Sequence, residues 1–372
     1  MCSGSGSFAE VEQHDPVKRE TIGVGILGAN PDRGWAARAH VPALSAMPEF
    51  DLVAVATTRA SSVEAARERF GARHAFTDAR SLAEHPDVDL VVVTVKVPAH
   101  VELVSAALAA GKHVYCEWPL AVTASEAAEL AAAAELAGVR AVVGLQARFS
   151  PAVQRAREMI ADGRLGTVQS ATVISSRSKG NTRDVPAWTA YTYDRRSGAG
   201  LVEVLGGHAL DLVQHLLGPI RDLTARTAIR SGNHIAAETG EPIVVSAPDH
   251  LLAHATVESG AVVSVHLRDG AVSLPRTRIE IAGTAGNLAL TSAPEADPWA
   301  GQLQISQLDL HEARQGSPEW TTVELGERRL STEAANVAGV YRQLAADFRH
   351  GTRHTPDFRT AHRLHELIES AV

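Results

Sequence analysis

From residue 21 onward the chain alternates short apolar runs with alanine-rich stretches, and this alternation restricts the possible folds more than any other feature. The apolar runs have the length and composition of buried parallel strands: Ile22–Leu27, Leu52–Ala56, Leu90–Val95, Val114–Cys116 and Ala141–Leu145. Strand, helix, strand units with right-handed crossovers build a doubly wound parallel sheet, which binds ligands at the carboxyl ends of its strands. Residues 21–148 are therefore predicted to form an α/β domain of the Rossmann type.

Capping residues predict where the intervening helices begin and end. In two places a Ser or Thr is followed three residues later by Glu, the spacing of a capping box, so helices are predicted to start near Ser61 and Thr123. Glycines that favour a helix C-terminus follow at Gly71 and Gly138. Pro98 fits the first turn of a third helix.

After residue 150 the pattern changes to one helix followed by segments that alternate apolar and polar residues. Two such segments contain central glycines and are predicted to be antiparallel hairpins: His254–His266 and Arg278–Leu290. Further predicted strands are Val168–Ser175, Gln302–Leu310 and Trp320–Leu325, and further predicted helices are Pro151–Gly163, Leu201–Leu217 and Glu333–Arg349. Residues 149–372 are therefore predicted to form an α+β domain with an open, mainly antiparallel sheet.

Composition excludes several classes of protein. Lys and Arg number 35 against 43 Asp and Glu, a net charge of -8, so no basic excess favours nucleic acid. We find no apolar run long enough to span a membrane, and residues 1–20 are interpreted as a disordered tail. With only Cys2 and Cys116, the sequence predicts no disulfide framework and a reducing, cytoplasmic location.

The first predicted strand runs into a glycine-containing loop that is followed by a helix, which is the context of a dinucleotide site. Gly28 allows a tight turn and a close approach of backbone N–H groups to a diphosphate. Asn30 stands where the G-x-G-x-x-G pattern has its second glycine, and residues 31–33 lengthen the loop. Gly28, Asn30, Arg33 and Trp35 are predicted to contact a nucleotide; the alternative is a purely structural turn.

The end of the second strand indicates which nucleotide would bind. NAD-binding domains commonly place Asp or Glu there for the ribose hydroxyls, whereas this chain has Thr57, Thr58 and Arg59. Two hydroxyls and a guanidinium group suit a 2′-phosphate, so NADP(H) is predicted over NAD(H). The alternative is that Arg59 is only a solvated charge at a helix start.

Three segments carry a resemblance to a known family: Val97–His100, Gly111–Leu120 and Gly207–Asp211. The Gly-Lys-His-Val run that leads into Glu-x-Pro resembles the glucose-fructose oxidoreductase, inositol dehydrogenase and MocA (Gfo/Idh/MocA) family. The resemblance, which covers nearly everything after residue 20, implies a homo-oligomer formed through the second domain's sheet. It also implies hydride transfer between a nicotinamide cofactor and a sugar, polyol or related compound.

Two positions depart from that family's pattern. Trp118 stands where family dehydrogenases carry a lysine, and Val204 stands where they carry an aspartate. Neither side chain can exchange a proton with a hydroxyl group. The resemblance leaves His208 as the acid/base, with Asp211 three residues later on the same helix and Lys96 as a group that could compensate.

The same resemblance predicts which residues line the cofactor at the carboxyl edge: Lys96, Pro98, His100, Glu117 and Trp118. For His100 the alternative is a residue that caps or packs a helix, and for Lys96 it is an electrostatic contact to cofactor or to Glu117. Glu203, Tyr191 and Tyr193 are further side chains that could reach a ligand.

Glu-Trp, Val-Lys-Val-Pro and the elongated first loop also resemble a noncatalytic branch of the family, which contains the fungal galactose-pathway repressor. That resemblance implies an alternative function, an NADP-binding sensor without turnover. Trp118 would then pack on nicotinamide or sugar, or simply lie in the core. His362 and His365 have helical spacing but no third ligand nearby in sequence, so no metal is predicted.

Overall fold

The first part of the chain forms a six-stranded parallel sheet in the order β3-β2-β1-β4-β5-β6. The structure, a computed structural model, describes residues 21–32, 34–273, 276–292, 301–326 and 330–372, so the predicted tail lies outside the described residues. The strands are β1 Ile22–Leu27, β2 Phe50–Ala56, β3 His74–Phe76, β4 Leu90–Val93, β5 His113–Glu117 and β6 Ala141–Gly144. All five predicted strands are confirmed, and the short β3 was not predicted. The strand order is that of a Rossmann fold.

Helices connect these strands: α1 Val41–Ser45, α2 Ala60–Phe70, α3 Ala79–Glu84, α4 His100–Ala109 and α5 Ala124–Leu136. The capping box at Thr123 is confirmed with both of its hydrogen bonds. The box predicted at Ser61 is wrong, because α2 begins at Ala60 with Arg59 as its N-cap. The Thr57 hydroxyl donates to the Arg59 carbonyl at 3.1 Å and closes the turn there, which brings Ser61 inside the helix.

The second sheet has eight strands in the order β17-β16-β15-β14-β7-β13-β12-β9. Its strands are β7 Val168–Ser176, β9 Ile220–Ala228, β12 His250–Val257, β13 Val262–Arg268, β14 Thr277–Gly283, β15 Gly286–Ser292, β16 Leu308–Arg314 and β17 Ser317–Val323. Only the β7–β13 pair is parallel among the pairings within this described sheet. Both predicted hairpins are confirmed, as is the mainly antiparallel sheet. A small sheet, β8 Asp184–Val185, β10 His234–Ala236 and β11 Pro242–Ile243, lies apart from it.

The remaining helices are α6 Pro151–Ala161, α7 Gly207–Leu217, α8 Thr332–His350 and α9 Phe358–Ala371. A π-helical turn, Val202–Gly206, leads directly into α7, so the helix predicted over 201–217 has two parts. The strand predicted over Gln302–Leu310 begins later than expected, at Leu308 in β16. The Gln302 carbonyl accepts hydrogen bonds from the backbone N–H groups of Ile305 and Ser306, so these residues form a turn instead. Among the described residues, none of the helices combines the length and apolar character that crossing a bilayer requires.

The last two helices return to the first domain. Tyr341 of α8 is fully buried in the cluster that contains Ile22 and Phe50, and Phe358 and Leu364 of α9 lie in the cluster that contains α5. Residues predicted to belong with the second domain therefore complete the core of the first. The domain boundaries at 20/21 and 148/149 stay a prediction, although the second closely follows the end of β6.

Candidate functional site

The loop after β1 is shaped by a glycine that no other residue can replace easily. Gly28 has φ +91°, and a Cβ there would lie 2.7 Å from Cγ1 of Val95 and 3.0 Å from Oγ1 of Thr94. The Asn30 side chain accepts a hydrogen bond from the Asp32 backbone at 2.9 Å and fixes the next part of the loop. Arg33, a predicted cofactor contact, lies outside the described residues. The result is an ordered turn at the carboxyl edge of the sheet.

Trp35 begins the helix that follows this loop, and it carries an unsatisfied donor. Its Nε1–H is buried and has no hydrogen-bond partner among the described residues. Such a buried donor costs free energy until an acceptor reaches it. A dinucleotide offers phosphate and ribose oxygens, so the loop and this indole together fit the cofactor that the sequence predicts.

The end of β2 leaves two of the three predicted nucleotide contacts open to solvent. The Thr57 hydroxyl is engaged with the Arg59 carbonyl, whereas the side chains of Thr58 and Arg59 are exposed. Arg59 makes no ion pair within the part of the chain that the structure describes. A guanidinium group in that position is available to a phosphate.

Glu117, at the end of β5, is held by a buried chain of hydrogen bonds. Its carboxylate lies 2.9 Å from Nε2 of His40, and Nδ1 of His40 lies 2.7 Å from the Tyr341 hydroxyl. We assign the Tyr341 O–H as donor to Nδ1 and Nε2–H as donor to the carboxylate. Both carboxylate oxygens lie 2.8 Å from where a Cβ on Gly144 would stand, so the group has little room to move.

Lys96 and Pro98 lie between the two domains. The Lys96 side chain is exposed, and its Nζ stands 4.3 Å from the ring centroid of Tyr191 in the second domain. Pro98 lies in the 3-10 turn Val97–Ala99 that precedes α4 and is exposed. Lys96 therefore presents a cation to the cleft beside an aromatic face.

His100 is a packing residue, in line with the alternative given for it. It is buried, with Nδ1 2.9 Å from the Pro119 carbonyl and Nε2 3.0 Å from the Val95 carbonyl. Burial lowers the pKa of its imidazole. Because both nitrogens contact backbone oxygens, His100 holds the loops around it, and its predicted contact with the cofactor stays a prediction.

His208 and Asp211 are both internal residues. Burial lowers the pKa of His208 to about 3, and its Nδ1 has no hydrogen-bond partner among the described residues. Asp211 does not contact His208, because Arg148 takes both carboxylate oxygens, one of them at 2.8 Å from Nε. Burial raises the pKa of Asp211, and Arg148 opposes that rise. Asp211 is therefore paired with Arg148 rather than with His208, and the acid/base roles predicted for both residues stay predictions.

Trp118 is a core residue that links the two domains. Its Nε1–H donates to the Glu203 carbonyl at 2.9 Å, and its ring lies 4.5 Å from the His365 ring on α9. A Cβ on Gly207 would lie only 2.3 Å from Nε1, so the ring lies against the start of α7. Only 5% of Trp118 is exposed, which favours the interpretation as a core tryptophan over a ring that packs on a ligand.

A second polar cluster, in the second domain, contains two candidates from the sequence, Tyr193 and Glu203, together with Lys179 and Asp269, which the sequence does not indicate. The Lys179 ammonium group donates to the Thr192 carbonyl at 3.2 Å and lies 3.9 Å from the Asp269 carboxylate. Burial lowers the pKa of Lys179 to about 8. Burial also raises the pKa of Tyr193 to about 12, and the Tyr193 hydroxyl and one Glu203 oxygen are buried without partners among the described residues. Lys179 and Asp269 lie far apart in the sequence and match no spacing typical of a metal or catalytic site, so the pattern could not indicate them.

The strand order and the glycine turn after β1 define a Rossmann-type fold, the class that binds dinucleotides, and a mixed sheet forms the second domain. Residues 22–145 match the family model described as the oxidoreductase family with an NAD-binding Rossmann fold, Gfo/Idh/MocA. Residues 151–292 match the model of the Gal80p C-terminal domain. The chain belongs to the Gfo/Idh/MocA family, as its motifs imply.

The similar proteins include both regulatory proteins and dehydrogenases. The chain is 30% identical to the galactose/lactose metabolism regulatory protein GAL80 of Kluyveromyces lactis over 78% of its length, and 30% identical to D-apiose dehydrogenase of Paraburkholderia graminis over 70%. It spans 66% of the length of each of these relatives. The crystal structure of a super-repressor mutant of Gal80p from Saccharomyces cerevisiae has a TM-score of 0.83 at 26% identity, with 94% of this chain and 95% of that chain covered.

Removing the Tyr341 hydroxyl should loosen Glu117. We expect Tyr341→Phe to lower the free energy of unfolding by about 1–2 kcal/mol, because one nitrogen of the buried His40 loses its partner. Tyr193→Phe is the matched control, since the Tyr193 hydroxyl is also buried without a hydrogen-bond partner among the described residues and lies in the second domain. Urea unfolding measures both; equal losses would contradict the assigned chain.

Stability should fall as pH is lowered through the range in which unfolded histidines titrate. The pKa of His208 in the folded chain is lowered to about 3 and that of His365 to about 4, below the unfolded value of about 6.5. Their contribution is therefore complete above pH 6.5 and is lost as pH falls toward the folded values, by about 1.4 kcal/mol per pH unit for each histidine. His208→Gln should reduce the slope of the unfolding free energy between pH 6.5 and 5, and the exposed His350→Gln should leave it unchanged.

Proposed function

We propose that this protein binds NADP(H) at the carboxyl edge of its parallel sheet. Gly28, Asn30 and Trp35 would hold the diphosphate, while Thr58 and Arg59 would hold the 2′-phosphate. The proposal is supported by the positive φ of Gly28, by the buried Trp35 N–H that lacks an acceptor among the described residues, and by the exposed guanidinium group of Arg59. Glu117, fixed by His40, would accept a hydrogen bond from a cofactor hydroxyl.

We propose further that the protein is an oxidoreductase acting on a sugar, a polyol or a related hydroxy or keto compound. A bound nicotinamide would supply or accept the hydride. Lys96 would supply the proton that a carbonyl oxygen requires as it becomes a hydroxyl, and it would take that proton in the reverse direction. The observation that carries this proposal is the exposed Lys96 ammonium group beside Tyr191, in a cleft where His208 and Asp211 are internal. The similarity to D-apiose dehydrogenase supports the substrate class.

A second candidate function is a nucleotide-binding regulator without turnover. The observation that favours it is Trp118, which occupies the position of the family's lysine and uses its only polar atom in a hydrogen bond to Glu203. The Gal80p-type second domain and the similarity to GAL80 proteins support the same alternative. In this function the cleft would bind a small molecule or a protein segment, and the nucleotide would keep its redox state.

A homo-oligomer, a dimer or tetramer, is proposed through the open face of the eight-stranded sheet. Three exposed apolar side chains lie on that face, at Ile174, Leu252 and Val262. Ile174 and Leu252 both pair with His266, so they belong to one row across neighbouring strands. Exposed apolar rows of this kind are typical of surfaces that a partner covers.

Arg59→Ala tests the choice of nucleotide. We expect the substitution to weaken NADPH binding by about 10- to 100-fold, because a charge-assisted bond to phosphate is worth roughly 1.5–3 kcal/mol. NADH binding should change less than about 2-fold. Arg80→Ala is the control, since Arg80 is an exposed arginine on α3 that pairs with Glu84. Titration calorimetry measures the six dissociation constants, for three proteins and two nucleotides; equal affinity of the unsubstituted protein for both nucleotides would refute the NADP proposal.

Lys96→Met tests turnover. The protein is incubated with nucleotide and a panel of sugars and polyols, and absorbance of the reduced cofactor is followed. With an active substrate, we expect Lys96→Met to lower kcat by about 100-fold or more with little change in nucleotide affinity, since proton transfer contributes about 10²–10⁴-fold. Bound nucleotide that never changes redox state across the panel would favour the regulator.

A further inference from the structure

The edge of the parallel sheet opposite the nucleotide loop carries a cluster of metal-binding side chains. His74 begins β3, His85 is the residue at which α3 ends, and Asp87 lies in the turn before β4. One ligand atom from each residue lies within 4.8 Å of the other two, and all three residues are half-buried. We propose that His74, His85 and Asp87 bind a transition-metal ion, with Zn²⁺ as the first choice.

The geometry of the cluster suits a small divalent ion. Nε2 of His74 lies 3.3 Å from Oδ2 of Asp87, and the two imidazole rings have centroids 4.0 Å apart. In a tetrahedral zinc site with bonds of about 2.0–2.2 Å, neighbouring ligand atoms stand roughly 3.3–3.5 Å apart. The 3.3 Å between Nε2 of His74 and Oδ2 of Asp87 already matches this ligand-to-ligand distance. Small side-chain rotations bring a His85 nitrogen to a similar distance.

The ligand set selects the class of metal. Two imidazoles and one carboxylate favour Zn²⁺ and its neighbours over Mg²⁺ or Ca²⁺, which prefer oxygen ligands alone. His85 binds the ion through Nδ1. In the structure that nitrogen accepts a hydrogen bond from the Asp87 backbone N–H at 3.2 Å, and the ion would take the place of this long hydrogen bond. Water completes the coordination, because about a third of the His74 and Asp87 side chains is exposed.

The turn that carries two of the ligands is fixed by the fold. The Asp87 carbonyl packs so closely on β1 that a Cβ on Gly23 would lie 1.9 Å from its oxygen. From the other side, the Lys112 ammonium group donates to the carbonyls of His85 and Val88, at 3.3 and 2.8 Å. The backbone that carries the ligands is therefore already ordered. Metal binding costs little further conformational entropy, which favours binding.

The site is independent of the nucleotide function. The Asp87 carbonyl packs near the start of β1, at Gly23, whereas the proposed cofactor site lies where β1 ends. An ion there joins β3 to the turn between α3 and β4. Because the three ligands are brought together only in the folded chain, binding stabilises the fold in proportion to metal concentration.

The test uses the full chain without a histidine tag, freed of metal by chelation. Titration with Zn²⁺ against a competing chromophoric chelator gives the stoichiometry and dissociation constant, and Co²⁺ gives the visible bands of a site with nitrogen ligands. We expect one ion per chain in the micromolar range or tighter, and a rise of several degrees in Tm with excess Zn²⁺ that chelator reverses.

Two variants test the proposed ligands, and a third is the control. His74→Gln and Asp87→Asn should each weaken Zn²⁺ binding at least 10-fold and remove the Co²⁺ bands, while His254→Gln, an exposed histidine on β12, should match the unsubstituted chain. Nucleotide affinity should stay within 2-fold in all of them, which also reports that they fold. A dissociation constant above about 100 μM, or one that neither His74→Gln nor Asp87→Asn weakens, would overturn the proposal.

Discussion

The contact between the Trp118 indole and the start of α7 determines how the two domains meet. The ring fits because Gly207 has no side chain, and its N–H donates to the Glu203 carbonyl, which also accepts the backbone N–H of Gly207 at the end of a π-helical turn. His365 brings α9 to the same ring. Three elements distant in sequence therefore share one aromatic side chain, and the wall of the cleft is fixed where β5 ends.

That contact also determines which side chains remain for chemistry. With the indole packed at the start of α7, His208 lies in apolar surroundings that keep its imidazole neutral, and Asp211 is committed to Arg148. Polar groups on the cleft itself come from elsewhere: Lys96 from the first domain, and Tyr191 from the second. The helix positions predicted to supply the acid/base pair, His208 and Asp211, are therefore buried in this chain.

Much of the fold could be predicted because it depends on local periodicity. Continuous apolar runs indicate buried parallel strands, and alternation of apolar and polar residues indicates hairpins. The Thr123 capping box indicates where its own helix begins. Short or half-exposed strands such as β3 and β9 carry too weak a pattern, and nothing in α9 indicates that its partner is α5.

Candidate site residues could be predicted only where they follow the end of a parallel strand, because the direction of the strands decides which edge of the sheet those residues occupy. Gly28 and Arg59 follow from the ends of β1 and β2. The partners of Glu117 and Asp211 could not be predicted, because 301 residues separate His40 from Tyr341 and 63 separate Arg148 from Asp211. A helical spacing of three allowed a His208–Asp211 bond, but only the fold shows that a guanidinium group competes for that carboxylate.

The return of α8 and α9 to the first domain makes the second domain an insertion, entered after β6 and left before α8. Two chain crossings, rather than one, connect the halves. Cutting the chain after β6 would not release a finished Rossmann unit, because the apolar surfaces that Tyr341 and Phe358 cover would then face water.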